Sequence, residues 1–243
     1  MGRRPLRSLI RGTSGTITIV DLLLCEQTLL IALDDERGRD TTQWGSDAGL
    51  AGALLLDLAD RGLVDVDADD KLVALNGPAT GQPLLDEAHT AIRDDAKRRD
   101  ARGWVQRLPH ALKPLRDRVA GGLVDRGILT EEHTKLLGLV PRVRYPTADP
   151  APERDLRARL EAVLLDGQAP TPREALLIGL LEPLELINGL VPRDRRRDAR
   201  RRAKEVAEHG IAGTAVRDAV RAVQAAVLAA VVASTTAATA SSN

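Results

Sequence analysis

The sequence predicts a mainly α-helical protein, built as a single helical domain with a central apolar helix bundle and short β-hairpins. Apolar residues recur at spacings of three and four along most of the 243-residue chain, as they do on the buried faces of helices. Alternating β-branched runs are scarce outside two short stretches, 64–75 and 135–146. Phe is absent, and Trp and Tyr together number three. Leu, Val, Ile and Ala must therefore form the core, a composition that favours packed helices.

The first 110 residues combine helical runs with one hairpin. Residues 17–33 form an apolar helical run, and Gly49–Leu63 form a second helix with small residues on one face and Leu on the other. Residues 64–75 carry apolar residues on both sides of the acidic turn "DADD", a pattern typical of a hairpin. Gly and Pro mark residues 76–83 as a loop. Helical periodicity then continues over residues 84–108.

A near repeat links two parts of the chain. The stretch "LADRGLV" at Leu58–Val64 returns as "LVDRGIL" at Leu123–Leu129, and each copy ends an apolar helical run before a hairpin. Gly62 and Gly127 stand where a helix end requires a left-handed residue. Pro114 favours a helix start for the second copy, because its missing N–H costs nothing in the first turn. A helix followed by a hairpin also describes a winged helix, so nucleic-acid binding is an alternative interpretation.

The C-terminal half is predicted to be helical throughout. Two Pro-rich breaks, "TADPAPERD" and "GQAPTPRE", each start a helix. The nearly continuous apolar segment "EALLIGLLEPLELINGLV" is predicted to be central. The basic segment "RDRRRDARRRAK", at Arg193–Lys204, opens a further helix that Gly210 ends.

The last helix is predicted to dock on the core. Val216, Val220, Val223, Val227 and Val231 form a stripe at spacings of three and four. The uncharged stretch 222–240 has about the length of a membrane span. Its Ala, Val and Thr are weak drivers of insertion, so a docked helix is favoured over a transmembrane one.

Composition and charge restrict the partners, the disulfide content and the targeting signals of the protein. Thirty-five basic and thirty-five acidic residues cancel, so a polyanionic partner must be met by a local patch. Cys25 is the only cysteine, which excludes an internal disulfide. No apolar signal core follows the basic amino end, because Asp21 and Glu26 interrupt the next apolar run. We expect a basic, flexible N-terminal arm at 1–16, one domain at 17–235 and a flexible tail at 236–243.

Residue patterns typical of catalysis are missing from the sequence. The four histidines are far apart and have no metal-ligand spacing. A phosphate-binding glycine loop, a G-x-S-x-G motif and a persuasive Cys–His pair are also absent. The carboxylates alternate with Arg, as on solvated helix faces. The sequence therefore predicts no enzyme, no cofactor and no metal.

Two basic clusters are candidate anion sites. Lys113 and Arg116 are three residues apart and share one face if a helix starts at Pro114, where the helix N-terminus adds donors for a phosphate. Arg193–Lys204 holds eight basic and two acidic residues that go most of the way round a helix. It can attract anionic lipid or nucleic acid by counterion release. Ordinary surface charge is the alternative for both clusters, and the scarcity of aromatic stacking platforms disfavours nucleic acid.

The order of motifs resembles the Golgi phosphoprotein 3 family. The resemblance rests on "TLLIALDDERGR", "GLAGALLLDLADRGLV", "PATGQPLLDEA", "LRDRVAGGLVDRGIL", "LGLVPRVRYPTADP" and "RRRAKEVAE", in family order over residues 17–235. Each motif is weak alone, but together they are specific. The resemblance implies a mostly helical domain with protruding hairpins, and the abundance of Arg over Lys suggests a bacterial member.

The resemblance also implies a function and a site. Eukaryotic members are peripheral Golgi proteins that bind phosphatidylinositol 4-phosphate. The positions matching the family's lipid site are Trp44, Lys113 and Arg116, whereas Ala51 occupies a further position that is basic in eukaryotic members. The later hairpin, linked in the family to self-association and membrane insertion, would have an apolar tip at Leu136, Leu137, Leu139 and Val140.

The leading hypothesis is a non-enzymatic protein of the cytoplasm that associates peripherally with a membrane. It would bind an anionic phospholipid headgroup, a phosphoinositide such as phosphatidylinositol 4-phosphate, and act as an adaptor for protein cargo, with homo-oligomers possible. The alternative is a winged-helix-like nucleic-acid-binding protein.

Overall fold

The protein is mainly helical, as predicted. The computed structural model describes residues 21–33, 46–136, 140–209 and 217–240, although only the backbone is described at 46, 135–136, 140–142, 209, 217 and 233–240. Within these residues the helices and strands are, in order, α1 (Leu24–Ala32), α2 (Ser46–Asp60), β1 (Val64–Val66), β2 (Leu72–Ala74), α3 (Pro83–Asp94), α4 (Ala101–Ala111), α5 (Leu115–Asp125), β3 (Glu132–Leu136), β4 (Val140–Arg144), α6 (Ala151–Leu165), α7 (Pro172–Leu181), α8 (Arg196–His209) and α9 (Arg217–Ala240). Two short 3₁₀ turns, Leu186–Gly189 and Arg193–Arg195, precede α8.

Helix α2 lies at the centre of the bundle. Every residue of 50–59 is buried, and the helix contacts α1, α3, α4, α5, α7 and α9. The apolar segment predicted to be central is also buried in α7, over Ala175–Leu181. The chain leaves α7 at Glu182, however, and Glu185 takes a left-handed conformation with φ of 59°. The second half of that segment therefore forms turns instead of a helix. The central helix of the bundle is α2.

A buried carboxylate joins three of these helices. Asp57 of α2 is completely buried and accepts hydrogen bonds from the Leu24 amide (2.6 Å), Arg173 Nη2 (2.9 Å) and Arg61 Nη1 (3.0 Å). Burial raises the pKa of Asp57, and Arg173 and Arg61 counteract that effect. Because a buried charge must be paired to be tolerated, this contact ties the start of α1 and of α7 to the central helix.

The repeated helix–hairpin unit has the predicted geometry. Gly62 and Gly127 end their helices with φ of 65° and 72°. In each copy the next amide donates back into the helix, from Leu63 to the Leu58 carbonyl and from Ile128 to the Leu123 carbonyl, both at 2.9 Å. The two hairpins are separate antiparallel pairs, β1 with β2 and β3 with β4. Both lie close to the predicted positions.

The helix predicted over residues 84–108 is instead two helices, α3 and α4, with residues 95–100 between them. The Asp100 carboxylate caps α4 by accepting from the Gly103 amide at 2.7 Å. The Arg99 carbonyl accepts from the Leu72 amide of β2 at 2.9 Å. These bonds involve backbone groups beside the bend, so the helical periodicity of residues 84–108 is interrupted at 95–100.

Helix α9 docks against the core through its valine stripe. Ala219, Val220, Val223 and Val227 are buried, and α9 contacts α2, α4 and α7. Gly52 of α2 provides the room for this contact, because a Cβ there would overlap Cγ2 of Val227. The helix continues to Ala240. Nowhere in the described ranges is a helix both long and apolar enough to cross a membrane.

Candidate anion-binding site

The connection between α4 and α5 forms the first candidate site. Leu112 and Leu115 are buried and anchor the connection on both sides, while the peptide bond between Lys113 and Pro114 is cis. Pro114 is the N-cap of α5 and offers no capping side chain. The first helical hydrogen bond runs from the Arg118 amide to the Pro114 carbonyl at 3.0 Å. The first-turn amides of α5 therefore lack a side-chain cap, a favourable arrangement for an anion.

Lys113 and Arg116 meet in one pocket, although not by the predicted route. Lys113 precedes α5 instead of lying on its face, so helical spacing does not bring the two side chains together. The turn at Pro114 does so, and both residues line an open pocket of about 380 Å³. The other residues of its lining are Asp47, Pro109, His110, Pro114, Leu115 and Asp117.

Arg116 is held by Tyr145, a residue that the sequence analysis did not select. The Arg116 guanidinium lies over the Tyr145 ring, 5.6 Å from its centroid. The Tyr145 hydroxyl donates to Asp117 Oδ1 at 3.1 Å, and the same oxygen lies 3.8 Å from Arg116 Nη1. A cation over an aromatic face and beside a carboxylate has a restricted orientation. Tyr145 follows β4 directly, so the second hairpin helps to position this guanidinium.

Burial and the neighbouring carboxylate keep Tyr145 protonated. The residue is 3% exposed. Burial, the negative charge of Asp117 and the hydrogen bond to it raise the pKa of Tyr145 from 10.0 to about 12. The hydroxyl therefore remains a hydrogen-bond donor even at alkaline pH, where an exposed tyrosine would ionise. Asp117 Oδ1 therefore lies near both the Tyr145 hydroxyl and the Arg116 guanidinium.

Lys113 differs from Arg116 in its surroundings. Its side chain is exposed, and within the described part of the chain no carboxylate pairs with its ammonium group. Arg118 does not line the pocket and pairs with Glu87 of α3 at 2.7 Å. The site therefore combines one solvated ammonium group with one oriented guanidinium, a pair that can hold a phosphate from two sides.

The α2 end of the site is only partly described. Trp44 lies outside the described residues, but α2 begins at Ser46 and its Asp47 lines the pocket. Asp47 is exposed and brings a negative charge that opposes an anion. Ala51 is completely buried, so its position contributes neither charge nor contact to a ligand. At the hairpin tip, Leu137 and Leu139 lie outside the described residues, and Leu136 pairs through its backbone with Val140.

The second basic cluster forms a separate pocket on α8. The sequence analysis placed the basic residues of this cluster most of the way round one helix, and that prediction was wrong. Arg193 and Arg195 lie in the preceding 3₁₀ turn. Most basic residues of α8 share one side of the helix. This pocket measures about 620 Å³. The described residues hold no group of three potential metal ligands.

The winged-helix interpretation meets a geometric obstacle in α2. A recognition helix must present one face to a groove, whereas residues 50–59 of α2 are all buried. The first of the two "DRG" helices therefore has no face available for DNA.

Comparisons with known proteins agree with the motif order. Residues 24–223 match the family described as Golgi phosphoprotein 3. Among curated proteins, the chain is 28% identical over 165 residues to vacuolar protein sorting-associated protein 74 of Eremothecium gossypii. That alignment covers 59% of this chain and 49% of the relative, so the chain spans about half the length of the curated relative that it matches.

Proposed function

Because the chain belongs to the Golgi phosphoprotein 3 family, we propose that it binds membranes peripherally by recognising an anionic phospholipid headgroup. The headgroup would be a phosphoinositide similar to phosphatidylinositol 4-phosphate. The observation that carries this proposal is the convergence of Lys113 and Arg116 on one pocket at the start of α5.

The chemistry of the pocket suits one phosphate monoester. The Lys113 ammonium group is a compact point charge, and the Arg116 guanidinium offers paired donors that match phosphate oxygens. Uncapped amides at the start of α5 add partial positive charge. Asp47 and Asp117 limit the total charge of the pocket, which favours a small headgroup over an extended polyanion.

Trp44 is the third residue of the proposed site. It lies two residues before α2, whose Asp47 lines the pocket. An indole prefers the boundary between headgroups and acyl chains. In this proposal Trp44 contributes interfacial area and no phosphate contact.

The same proposal extends to partners. A relative named for vacuolar protein sorting supports a role as a non-enzymatic adaptor that links a membrane surface to other proteins. The location would be cytoplasmic and peripheral to that membrane. The apolar hairpin tip at Leu136, Leu137, Leu139 and Val140 would contact a second copy of the chain or the bilayer.

Liposome flotation tests the lipid site. We expect Lys113→Ala with Arg116→Ala to weaken binding to phosphatidylinositol 4-phosphate vesicles at least tenfold at constant salt. Each charged hydrogen bond contributes roughly 1.5–3 kcal/mol, and 1.4 kcal/mol is already a factor of ten. Trp44→Ala should weaken binding to vesicles with and without the phosphoinositide to similar degrees.

The matched control is Arg102→Ala with Arg159→Ala. These two arginines are also exposed and lie on α4 and α6, outside the pocket. The control removes the same net charge and should float like the parent protein. Equal flotation of the Lys113/Arg116 variant and the parent would identify the pocket as ordinary surface charge.

A further inference from the structure

Helix α8 carries a concentrated cationic face that the lipid site does not use. One open cavity of about 620 Å³ lies along the helix. Apart from Asn188, every side chain in its lining is positively charged: Arg193, Arg196, Arg197, Arg200, Arg201 and Lys204. The Lys113 pocket, by contrast, contains two aspartates.

The helix is held so that this face points outward. Ala199, Ala203 and Val206 are buried and fix the opposite side of α8 against the bundle. Arg196, Arg200 and Lys204 follow at intervals of four residues and therefore form one row. Arg197 and Arg201 form a second row beside it. The 3₁₀ turns before α8 contribute Asn188 and Arg193 as a wall, so the cations surround a concavity.

The cavity holds more positive charge than its neighbours neutralise. Arg201 pairs with Asp198 at 2.9 Å, and Lys204 lies 3.9 Å from Glu182. Arg200 Nε donates to the neutral Asn188 Oδ1 at 2.9 Å. Within the described part of the chain, Arg193, Arg196 and Arg197 have no carboxylate partner.

Arg196 belongs to the row of like charges that lines the cavity. Its Nε is buried and has no hydrogen-bond partner among the described residues. A buried charged donor without an acceptor is costly, and like charges four residues apart on a helix repel each other. An anion in the cavity would relieve this repulsion.

We propose that this face of α8 is a second anion site, which binds a ligand carrying at least two phosphate groups. Four of the six cationic charges are left after the pairs with Asp198 and Glu182. A phosphate monoester carries about −1.5 to −2 charge at neutral pH, so two phosphates match that excess. The forked donors of Arg suit phosphate oxygens. No aromatic residue lines the cavity, so it offers no stacking platform for nucleic-acid bases.

This phosphate chemistry has two sources, a bisphosphorylated inositol lipid headgroup or a soluble polyphosphate. The site stands on different residues from the lipid pocket proposed above and does not depend on that function. The two proposals can therefore fail separately.

Calorimetric titration with inorganic tripolyphosphate tests the site. We expect Arg193→Gln with Arg197→Gln to weaken tripolyphosphate binding at least tenfold, because both exposed arginines lose their charge without disturbing a described ion pair. Arg102→Gln with Arg159→Gln is the matched control and should bind like the parent protein. Lys113→Ala with Arg116→Ala should also keep tripolyphosphate binding. Unfolding followed by circular dichroism establishes that all variants remain folded.

Three results would overturn the proposal. One is undetectable binding of tripolyphosphate by the parent protein, and another is an equal loss of affinity in the Arg102/Arg159 control. The third is binding of sulfate, or of a random-sequence DNA duplex, that is as strong as binding of tripolyphosphate at the same ionic strength. Either result would show general attraction of anions.

Vesicles containing phosphatidylinositol 4,5-bisphosphate then distinguish the two sources of the phosphate ligand. If they compete with tripolyphosphate and phosphatidylinositol vesicles do not, the ligand is the lipid; if neither competes, the ligand is soluble.

Discussion

At the residue scale, the pocket beside α5 depends on a side chain that carries no charge at neutral pH. Lys113 and Arg116 could be selected from the sequence because they are basic and match a family motif. Tyr145 could not, since a single Tyr after a hairpin gives no indication of what its ring covers. Its contact with Arg116 arises only because the fold brings the residue that follows β4 against the first turn of α5.

The ionisation of Tyr145 can be followed directly, because the chain contains one tyrosine. Its pKa is raised to about 12 in the folded protein and is about 10 in an unfolded chain. The stability contributed by this residue is therefore fully present below pH 10 and lost as the pH rises through 12. Absorbance at 295 nm should show a tyrosinate transition near pH 12 in the native protein and near pH 10 in denaturant.

The variant Asp117→Asn separates the causes of this shift. The substitution removes the negative charge beside the hydroxyl but leaves the ring buried, so we expect the transition to move part of the way towards pH 10. A transition near pH 10 in the native parent protein would contradict the buried Tyr145–Asp117 contact.

At the scale of elements, helix ends were easier to predict than helix interruptions. Gly62 and Gly127 end their helices through local chemistry that the sequence displays openly. The break between α3 and α4 depends on a hydrogen bond from Leu72 in a distant strand, which periodicity does not reveal. Close contacts between helices are likewise invisible in one sequence, as the contact of α2 with α9 illustrates.

Gly52 tests that contact. We expect Gly52→Ala to destabilise the protein by about 1–3 kcal/mol, because the added methyl group overlaps the stiff, β-branched Val227. Gly121→Ala is the matched control, since a Cβ at Gly121 in α5 meets no atom within 4 Å. It should be neutral or should stabilise by up to about 1 kcal/mol through helix propensity. Denaturant unfolding measures both values, and equal effects would argue against close packing of α9 on α2.

At the scale of the whole molecule, the mainly helical class, both hairpins and the family could be predicted, because each depends on patterns along the chain. The central position of α2 could not, since its sequence is no more apolar than that of α7. The convergence of Lys113 with Arg116 was predicted by an incorrect mechanism, helical spacing, whereas the turn at Pro114 produces it. The α8 cavity required the fold, because the wall formed by Asn188 and Arg193 is not evident from the basic run.

Self-association is a prediction at this scale. Leu137→Asp with Leu139→Asp should reduce oligomer size or liposome binding, because charges at an apolar hairpin tip oppose contact with another subunit or a bilayer. Sedimentation and flotation measure the two effects. Unchanged assembly and binding together with lower stability would show that the tip packs on its own domain.

The packing of α9 on α2 also has a consequence for synthesis on the ribosome. The central helix is translated early, but the valines that cover it belong to residues 219–227. During most of translation the nascent chain therefore exposes the faces of α2 and α4 that this late segment covers in the folded protein. Because exposed apolar surface promotes aggregation, we expect ribosome-bound chains that end before α9 to recruit chaperones that hold apolar segments, and chains that include α9 to release them.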